Sequence, residues 1–176
     1  MKRKFQRIYF HVFKFIISLL IYIDSRLYMK YYEKLLRSVG LNLHGSPRFI
    51  AKSVRFDDFD LITLGDRLVV SMNVWFLTHD YSFTTGLISI NEMPKTDIGL
   101  LGPITVGNNV FIGMNSILLP GTTIGNNVIV GAGSIVRGNF PDNVVISGNP
   151  AKIISDIQSH TEKLMNKNYN RVIDIK

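Results

Sequence analysis

Apolar residues recur at every sixth position through the second half of the chain. From Ile104 the sequence runs ITVGNN, VFIGMN, SILLPG, TTIGNN, VIVGAG and SIVRGN. A period of six fits neither an α-helix of 3.6 residues per turn nor a simple alternation. It predicts a three-sided parallel β-coil, in which each short strand directs one aliphatic side chain inward and Gly or Asn forms the corners. The inward residues are Val106, Ile112, Leu118, Ile124, Val130 and Val136.

Pairs of asparagines indicate the length of one circuit. Asn108-Asn109 and Asn126-Asn127 lie eighteen residues apart, so we expect them to stack on the same corner. Residues 61–80, LITLGDRLVVSMNVWFLTHD, continue the frame backwards and supply another coil. The frame is less regular between Arg48 and Asp60, where we expect an irregular opening coil.

The six-residue pattern stops between about Asp80 and Pro103. This stretch is too long for a corner, so it predicts an excursion of about twenty residues, a length that is usually functional in a compact domain. His79 lies at the last corner before it. Because imidazole titrates near pH 6.5, a neutral ring there can take a proton from an alcohol, and His79 is a candidate general base. The alternative is a solvated corner histidine, or one whose hydrogen bond holds the loop.

Residues 1–40 form an arm of different character. Its apolar residues have the three-to-four spacing of an amphipathic helix, and Gly40 is a plausible helix stop. The apolar run Ile8–Ile23 is sixteen residues long, about 24 Å as a helix, and is too short to span a hydrocarbon core of about 30 Å comfortably. The start resembles a signal peptide, but no small-residue cleavage site follows. The apolar stripe comprises Phe5, Ile8, Val12, Ile16, Leu19, Ile23 and Leu27.

The positive charge of the chain belongs to this arm. Residues 1–40 hold nine Lys and Arg against two acidic residues, a net charge of +7, whereas residues 41–176 hold eleven of each kind. A neutral main body offers no electrostatic footprint for nucleic acid. We expect a cytoplasmic protein whose arm lies on the anionic inner face of the membrane. The alternative is that the arm packs on the protein or on a neighbouring subunit.

Length and composition limit the remaining possibilities. A chain of 176 residues is enough for one main body with attachments. Without cysteine, disulfides, thiolate zinc sites and cysteine nucleophiles are excluded. A zinc-dependent carbonic anhydrase on such a coil needs three histidine ligands, and only His79 lies in the regular coils, so we predict no metal site. The predicted layout is a helical arm over 1–40, an all-β main body over 41–155 with a loop at about 80–103, and a short helical tail over 156–176.

The segment TVGNNVFIGMNSILLPGTTIGNNVIVGAGSIVRGNFPDNVVISGNPAKII resembles the hexapeptide-repeat acyltransferases. It is most similar to the maltose and galactoside O-acetyltransferases and to relatives that acetylate capsular or exopolysaccharide sugars. The resemblance covers residues 62–155 well. It implies a left-handed parallel β-helix, a homotrimer, and acetyl-CoA in the groove between neighbouring coils. It also implies that His79 deprotonates the acceptor hydroxyl, which attacks the thioester without a covalent intermediate.

The resemblance also nominates residues that bind the acceptor. Asn73 matches an asparagine that reaches the acceptor, although a corner asparagine with a left-handed backbone explains it equally. Trp75 and Tyr81 flank His79, where they either stack on a sugar ring or pack against the coil.

A second set is nominated for acetyl-CoA. Phe111 stands where a tryptophan is frequent in the family, and Gly131, Ala132 and Gly133 match the small residues along the pantetheine arm, although coil corners also favour such residues. Arg137 and Lys152 are the expected phosphate-binding cations. The usual Thr-Lys after SIV is Arg137-Gly138 here, and a second basic position in the closing motif is Ser155.

Together these features predict an O-acetyltransferase that moves acetyl from acetyl-CoA to a sugar hydroxyl in surface polysaccharide synthesis. One alternative is an N-acetyltransferase of an amino-sugar nucleotide, which the same histidine would serve. Another is a non-catalytic trimeric scaffold at the membrane, and an assay of CoA binding separates it from the enzymes.

Overall fold

The computed structural model describes residues 2–167, of which Lys2 and Arg3 are described by their backbone alone. The arm forms α1 (Lys2–Ser18), a 3-10 turn (Leu19–Tyr22) and α2 (Ser25–Ser38). Two helices form because the Asp24 side chain accepts hydrogen bonds from the backbone N–H groups of Arg26, at 2.6 Å, and Leu27, which caps a new helix N-terminus. The arm ends at Gly40, whose φ is +83°.

Between residues 41 and 167, the structure contains seventeen short strands in chain order. The opening coil holds β1 (Asn42–Leu43), β2 (Phe49–Ile50) and β3 (Arg55–Phe56), and the second holds β4 (Ile62–Leu64), β5 (Val69–Val70) and β6 (Trp75–Phe76). The excursion comprises β7 (His79–Asp80), α3 (Ser82–Ser89) and β8 (Leu100–Leu101). The third coil holds β9 (Ile104–Val106), β10 (Phe111–Ile112) and β11 (Ile117–Leu118), and the fourth holds β12 (Thr123–Ile124), β13 (Ile129–Val130) and β14 (Ile135–Val136). The chain closes with β15 (Asn139–Phe140), β16 (Val144–Gly148), β17 (Ala151–Asp156) and α4 (Ile157–Met165).

The coils stack into three parallel sheets, the three faces of a β-helix. Their strand orders are β1-β4-β9-β12-β15, β2-β5-β10-β13-β16 and β3-β6-β11-β14, and β17 adds antiparallel to β16. Every aliphatic residue of the predicted six-residue frame from Val106 to Val136 is at most 1% exposed, which confirms the frame. Each such buried side chain contributes about 1.5–3 kcal/mol.

The corner asparagines also stack as predicted. Asn109 and Asn127 both have φ of +54°, a left-handed conformation that asparagine tolerates better than most residues. The Asn109 amide donates to Oδ1 of Asn127 at 2.9 Å, and the Asn127 amide donates to Oδ1 of Asn143 at 2.9 Å. This ladder holds successive coils in register.

The opening coil is irregular at its corners but not in its strands. Leu43, Ile50 and Phe56 pair in parallel register with Leu64, Val70 and Phe76 of the second coil. The extra residues fall in the first corner and in a 3-10 turn (Phe59–Leu61) before β4. The register places Asp57 directly beneath Leu77 and Thr78.

The excursion leaves and rejoins the coil at one corner. β7 and β8 pair antiparallel, and the Gly102 N–H donates to the carbonyl oxygen of Thr78 at 2.9 Å. At the far end of the chain, α4 begins after Asp156, whose side chain accepts from the Ser159 N–H at 2.8 Å. Residues 168–176 of the predicted tail lie outside the described residues.

The arm packs on the coil through a different face from the predicted apolar stripe. Helix α2 buries Tyr28, Tyr32 and Leu36 completely, whereas on α1 Phe10 is buried and the Lys14 ammonium donates to the carbonyl oxygen of Val54 at 2.8 Å. The stripe faces outward, with Leu27 half-buried and Phe5, Ile8, Val12, Ile16, Leu19 and Ile23 between 51% and 78% exposed.

Segment Lys4–Tyr22 is long and apolar enough to cross a membrane by length and composition alone, with a mean hydropathy of 1.2. This segment is longer than the apolar run Ile8–Ile23 because it begins four residues earlier, at Lys4. In this fold, however, one face of the helix lies against the coil through Phe10 and Lys14.

Candidate active site

His79 lies where the chain leaves the second coil. The preceding residue, Thr78, is fully buried and fixes the backbone from which the His79 ring projects. The His79 side chain is 31% exposed. It lines a cavity of about 530 Å³, here called the His79 cavity. The excursion forms one wall of this cavity through Tyr81, Gly99 and Leu101.

Asp57 of the opening coil orients the histidine. Its Oδ2 lies 3.3 Å from Nδ1 of His79, and the carboxyl group is largely shielded, with 13% of the side chain exposed. The same carboxyl group accepts from the Thr78 N–H at 3.3 Å and from Nε1 of Trp75 at 3.4 Å. Because a carboxylate only accepts hydrogen bonds, the proton of a neutral ring resides on Nδ1 and the Nε2 lone pair is free.

Tyr81 packs edge-on against the histidine. The two ring centroids are 5.3 Å apart at 66°, and the tyrosine side chain is 56% exposed. A Cβ at Gly99 would lie 2.8 Å from Cε1 of Tyr81, so glycine at this position permits the chain just before β8 to approach the ring closely. Tyr81 therefore packs on the histidine and also presents a surface to the cavity.

The arm also lines the His79 cavity. Lys4 and Arg7 of α1 line it together with Asp58 and Asp97. Nη2 of Arg7 lies 3.8 Å from Oδ1 of Asp58 and donates to the carbonyl oxygen of Asp57 at 3.4 Å. From the sequence, the arm was expected to lie on a membrane or to pack on the protein or a neighbouring subunit, and not to line the candidate site.

Trp75 lies on the other side of Asp57 from His79. It lines a second cavity of about 390 Å³ between α1 and the opening coil, here called the cationic pocket. The guanidinium of Arg55 lies 5.2 Å from the centre of the Trp75 ring. The predicted pair of flanking aromatic residues is therefore divided between two cavities, with Tyr81 in one and Trp75 in the other.

Asn73 sits on a different corner and does not line either cavity. Its φ is +58°, and its amide donates to Oδ1 of Asn115 in the next coil at 3.2 Å. This geometry matches the alternative given above, a corner asparagine with a left-handed backbone.

The residues nominated for acetyl-CoA lie on one face and at two corners of the coil. Phe111 is 41% exposed and lines a shallow cavity of about 280 Å³ with Asn109 and Ile129. Residues 131–133 form a corner after β13. A Cβ at Gly131 would lie 2.5 Å from Oγ of Ser147, and Gly133 has φ of +70°, so packing and backbone conformation explain both glycines. Ala132 is exposed.

Arg137 is paired rather than free. Its Nη2 lies 3.3 Å from Oδ2 of Asp80, the residue after His79. Hydrogen bonds from Ser82 and the interaction with Arg137 hold the pKa of Asp80 below its usual value. This pair joins the fourth coil to the start of the excursion, whereas Lys152 is exposed on β17. No cavity described above contains Phe111, Arg137 and Lys152 together.

Asp57 was not among the residues predicted from the sequence. Phe56 and Phe76 stack in parallel register in the structure, so the chain after each of them passes the same corner. The two extra residues before β4 hid that relationship, because counting backwards from Leu64 in sixes does not reach Phe56.

Comparison with known proteins adds independent findings. A family model for the bacterial transferase hexapeptide (six repeats) matches residues 103–138. The chain is 40% identical over 145 residues to Protein CapG of Staphylococcus aureus, covering 81% of each. It is 32% identical over 147 residues to the putative lipopolysaccharide biosynthesis O-acetyl transferase WbbJ of Escherichia coli, covering 77% of this chain and 74% of that one. A solved galactoside acetyltransferase in complex with coenzyme A is similar at a TM-score of 0.59 and 21% identity, over 94% of this chain and 87% of that one.

The fold is a left-handed parallel β-helix of the hexapeptide-repeat class, which confirms the predicted architecture. The chain belongs to the hexapeptide-repeat transferase family, and it is an acetyltransferase of that family.

Proposed function

We propose that this protein transfers an acetyl group from acetyl-CoA to a hydroxyl group of a saccharide, with His79 as the general base. The observation that carries the proposal is the 3.3 Å approach of Asp57 to Nδ1 of His79 at the edge of an open cavity. A ring held in this way presents an unprotonated Nε2 to an acceptor.

Acetyl transfer by this mechanism requires mainly His79 and Asp57. Acetyl-CoA supplies a thioester whose carbonyl carbon accepts a nucleophile. Nε2 of His79 takes the proton of the acceptor hydroxyl while its oxygen attacks that carbon, so that a C–O bond forms and the C–S bond breaks. The proton then passes to the departing sulfur. Asp57 fixes the ring and stabilises the transient imidazolium charge, which makes it a positioning residue.

We propose the small-residue corner at 131–133 as the place where the acyl donor binds. Nothing lies within 4 Å of a Cβ built at Gly133, so the surface there is open to an extended chain. Because Arg137 is engaged with Asp80, Lys152 is the better placed of the two predicted phosphate ligands. The relatives support the donor, since a galactoside acetyltransferase of this fold is solved with coenzyme A.

The saccharide acceptor is supported by the named relatives. WbbJ is described as a putative O-acetyl transfer protein of lipopolysaccharide biosynthesis, and a galactoside O-acetyltransferase of Escherichia coli is 35% identical over 133 residues. On that basis we place the reaction in surface polysaccharide synthesis. We also propose a homotrimer, which the resemblance to the family implies and which a closed cyclic assembly would satisfy. Sedimentation that shows a fully active monomer would contradict the trimer.

A direct test measures CoA release from acetyl-CoA with a panel of acceptors. The panel contains neutral oligosaccharides, nucleotide sugars, lipid-linked sugars and the matching amino sugars. Turnover with hydroxyl acceptors and a loss of about 10²–10⁴-fold in His79→Ala, with acetyl-CoA binding retained, are expected. Transfer to amino groups alone would favour the N-acetyltransferase, and unchanged turnover in His79→Ala would remove the proposed base.

We further propose that the arm holds the enzyme on the anionic inner face of the membrane. The outward stripe of α1 supplies apolar side chains, and the arm carries the entire net charge of the chain. A lipid surface fits both properties, whereas a second arm of the same charge would repel it.

A further inference from the structure

The cationic pocket contains more positive charge than the structure neutralises. Three basic side chains line it, from Arg7 and Lys14 on α1 and from Arg55 on β3, and Asp57 is the only carboxylate among the lining residues. Arg7 is paired with Asp58 outside the pocket. Within the described part of the chain, neither Lys14 nor Arg55 has an ion-pair partner within 4.0 Å.

Lys14 is the clearest case of a positive charge in the pocket that is not neutralised. Its ammonium group is held by one hydrogen bond to the Val54 carbonyl oxygen and lies 5.3 Å from the centre of the Phe10 ring. Burial, followed by the nearby charge of Arg55, lowers the pKa of Lys14 from 10.5 to about 8. A lysine in this position is stabilised in its charged form by any anion that enters the pocket.

The cationic pocket adjoins the His79 cavity. Asp57 separates the two cavities, with Oδ2 toward His79 and Oδ1 toward Trp75, and Arg7 lines both. A single acceptor can therefore place a hydroxyl group at His79 and an attached charged group on the far side of Asp57.

We propose that the cationic pocket binds an anionic group of the acceptor, a phosphate, pyrophosphate or sugar carboxylate, through Lys14 and Arg55. The substrate class is thus an acidic or phosphate-linked saccharide rather than a neutral sugar. This inference rests on the proposed function for its acceptor, but the anion site itself does not depend on turnover. Arginine and lysine are the residues that bind such oxyanions most strongly.

The fluorescence of Trp75 provides a readout that is independent of catalysis. Trp75 is the only tryptophan of the chain and lines the pocket, so an anion bound there changes its emission directly. Inorganic pyrophosphate, a nucleotide diphosphate sugar, a uronate oligosaccharide and a neutral oligosaccharide are titrated into the full-length protein. Calorimetry provides the second measurement, because Arg55→Gln also alters the environment of Trp75 before any anion is added.

We expect saturable responses to the anionic probes that weaken with salt, and a much smaller response to the neutral one. Arg55→Gln and Lys14→Gln should each weaken anion binding at least about tenfold, a loss equivalent to roughly 1.4 kcal/mol. Lys30→Gln, an exposed cation on α2, is the matched control and should bind as the wild type does. Arg55 is exposed, so its variant tests the proposal even if Lys14→Gln fails to fold.

The anionic probes show whether the bound group is a phosphate or a sugar carboxylate. A response to pyrophosphate and nucleotide sugars but not to uronate assigns a phosphate-linked acceptor, and the reverse assigns an acidic sugar. In turnover, Arg55→Gln should raise KM for the anionic acceptor about tenfold. Equal binding of pyrophosphate by the wild type and Arg55→Gln overturns the anion site. If the anionic probes bind as expected but no acceptor is acetylated, the proposed function is wrong. The anion site is then retained.

Discussion

The carboxyl group of Asp57 lies 3.3 Å from Nδ1 of His79, although the two residues belong to successive coils. The contact exists because β3 and β6 pair in register, which brings the residues after Phe56 beneath those after Phe76. The candidate active site therefore depends on the stacking of the opening coil, and the arm stabilises that coil from outside.

Asp57→Asn should reduce kcat by about 10²-fold while KM for acetyl-CoA stays unchanged, because the amide no longer fixes the proton on Nδ1. Nitrogen NMR of the His79 ring supplies a readout that a purely structural role would not alter. The wild type should show a single tautomer with the proton on Nδ1, and the variant should show a mixture. Asp57→Glu should recover part of kcat. If the tautomer and kcat are both unchanged in Asp57→Asn, Asp57 has no positioning role.

Tyr32→Phe should stabilise the protein. Tyr32 is fully buried, and within the described residues its hydroxyl group has no hydrogen-bond partner. Burial also raises the pKa of this phenol well above its usual value. Removing an unsatisfied buried hydroxyl should increase the free energy of unfolding by about 1 kcal/mol, measured by urea denaturation.

Tyr28→Phe is the matched control for this prediction. The Tyr28 hydroxyl donates to the carbonyl oxygen of Ile50 at 2.9 Å, so its removal should lower the free energy of unfolding by about 1 kcal/mol. Equal effects of the two substitutions would contradict the assignment of Tyr32 as the unsatisfied group.

Lys14 should make stability depend on pH. Its pKa is lowered in the folded state, from 10.5 to about 8, so between these values the unfolded chain binds the proton more tightly. Stability should therefore rise with pH across this window, by about 3 kcal/mol in total, as the charged form that folding disfavours disappears. The measurement is the difference in unfolding free energy between the wild type and Lys14→Met at pH 7, 9 and 11. A difference that stays constant from pH 7 to pH 11 would contradict the lowered pKa.

Substitution of Ile8 and Ile16 by Asp should release the protein from vesicles that contain anionic lipid. Both side chains lie on the outward stripe, 61% and 54% exposed, so the changes leave the buried face of α1 intact. Ile154→Asp, equally exposed on β17, is the control and should bind vesicles normally. Binding is measured by cosedimentation with anionic and zwitterionic vesicles. A double variant that loses its trimer but binds vesicles as before would assign the stripe to a subunit contact.

Deleting the whole arm would not make an equivalent test. Helix α2 buries Tyr28, Tyr32 and Leu36 against the coil, so removal of residues 1–40 would take part of the core. Point changes on the outward face separate membrane contact from folding.

The six-residue pattern was sufficient to predict the coil, because each in-frame residue from Val106 to Val136 must enter a narrow interior. It also located His79, since the catalytic candidate stands where the pattern ends. It could not place Asp57, because the opening coil carries extra residues at its corners that break the count. Nor could it show which face of α1 meets the coil. Phe10 and Lys14 of α1 pack inward, whereas the more apolar stripe faces outward. Tertiary contacts, and not the helical periodicity alone, determine this orientation.

The closure of the excursion at Thr78 and Gly102 has a consequence for how this architecture diversifies. Since the chain departs and returns at the Thr78–Gly102 hydrogen bond, residues 81–101 can lengthen, shorten or be exchanged without altering the stacking of the second and third coils, while His79 and the Asp80–Arg137 pair stay in place. Tyr81, Gly99 and Leu101 would change with this segment, while Asp57 and the arm would remain. A transplanted excursion from a relative should thus redirect acceptor choice on an unchanged scaffold.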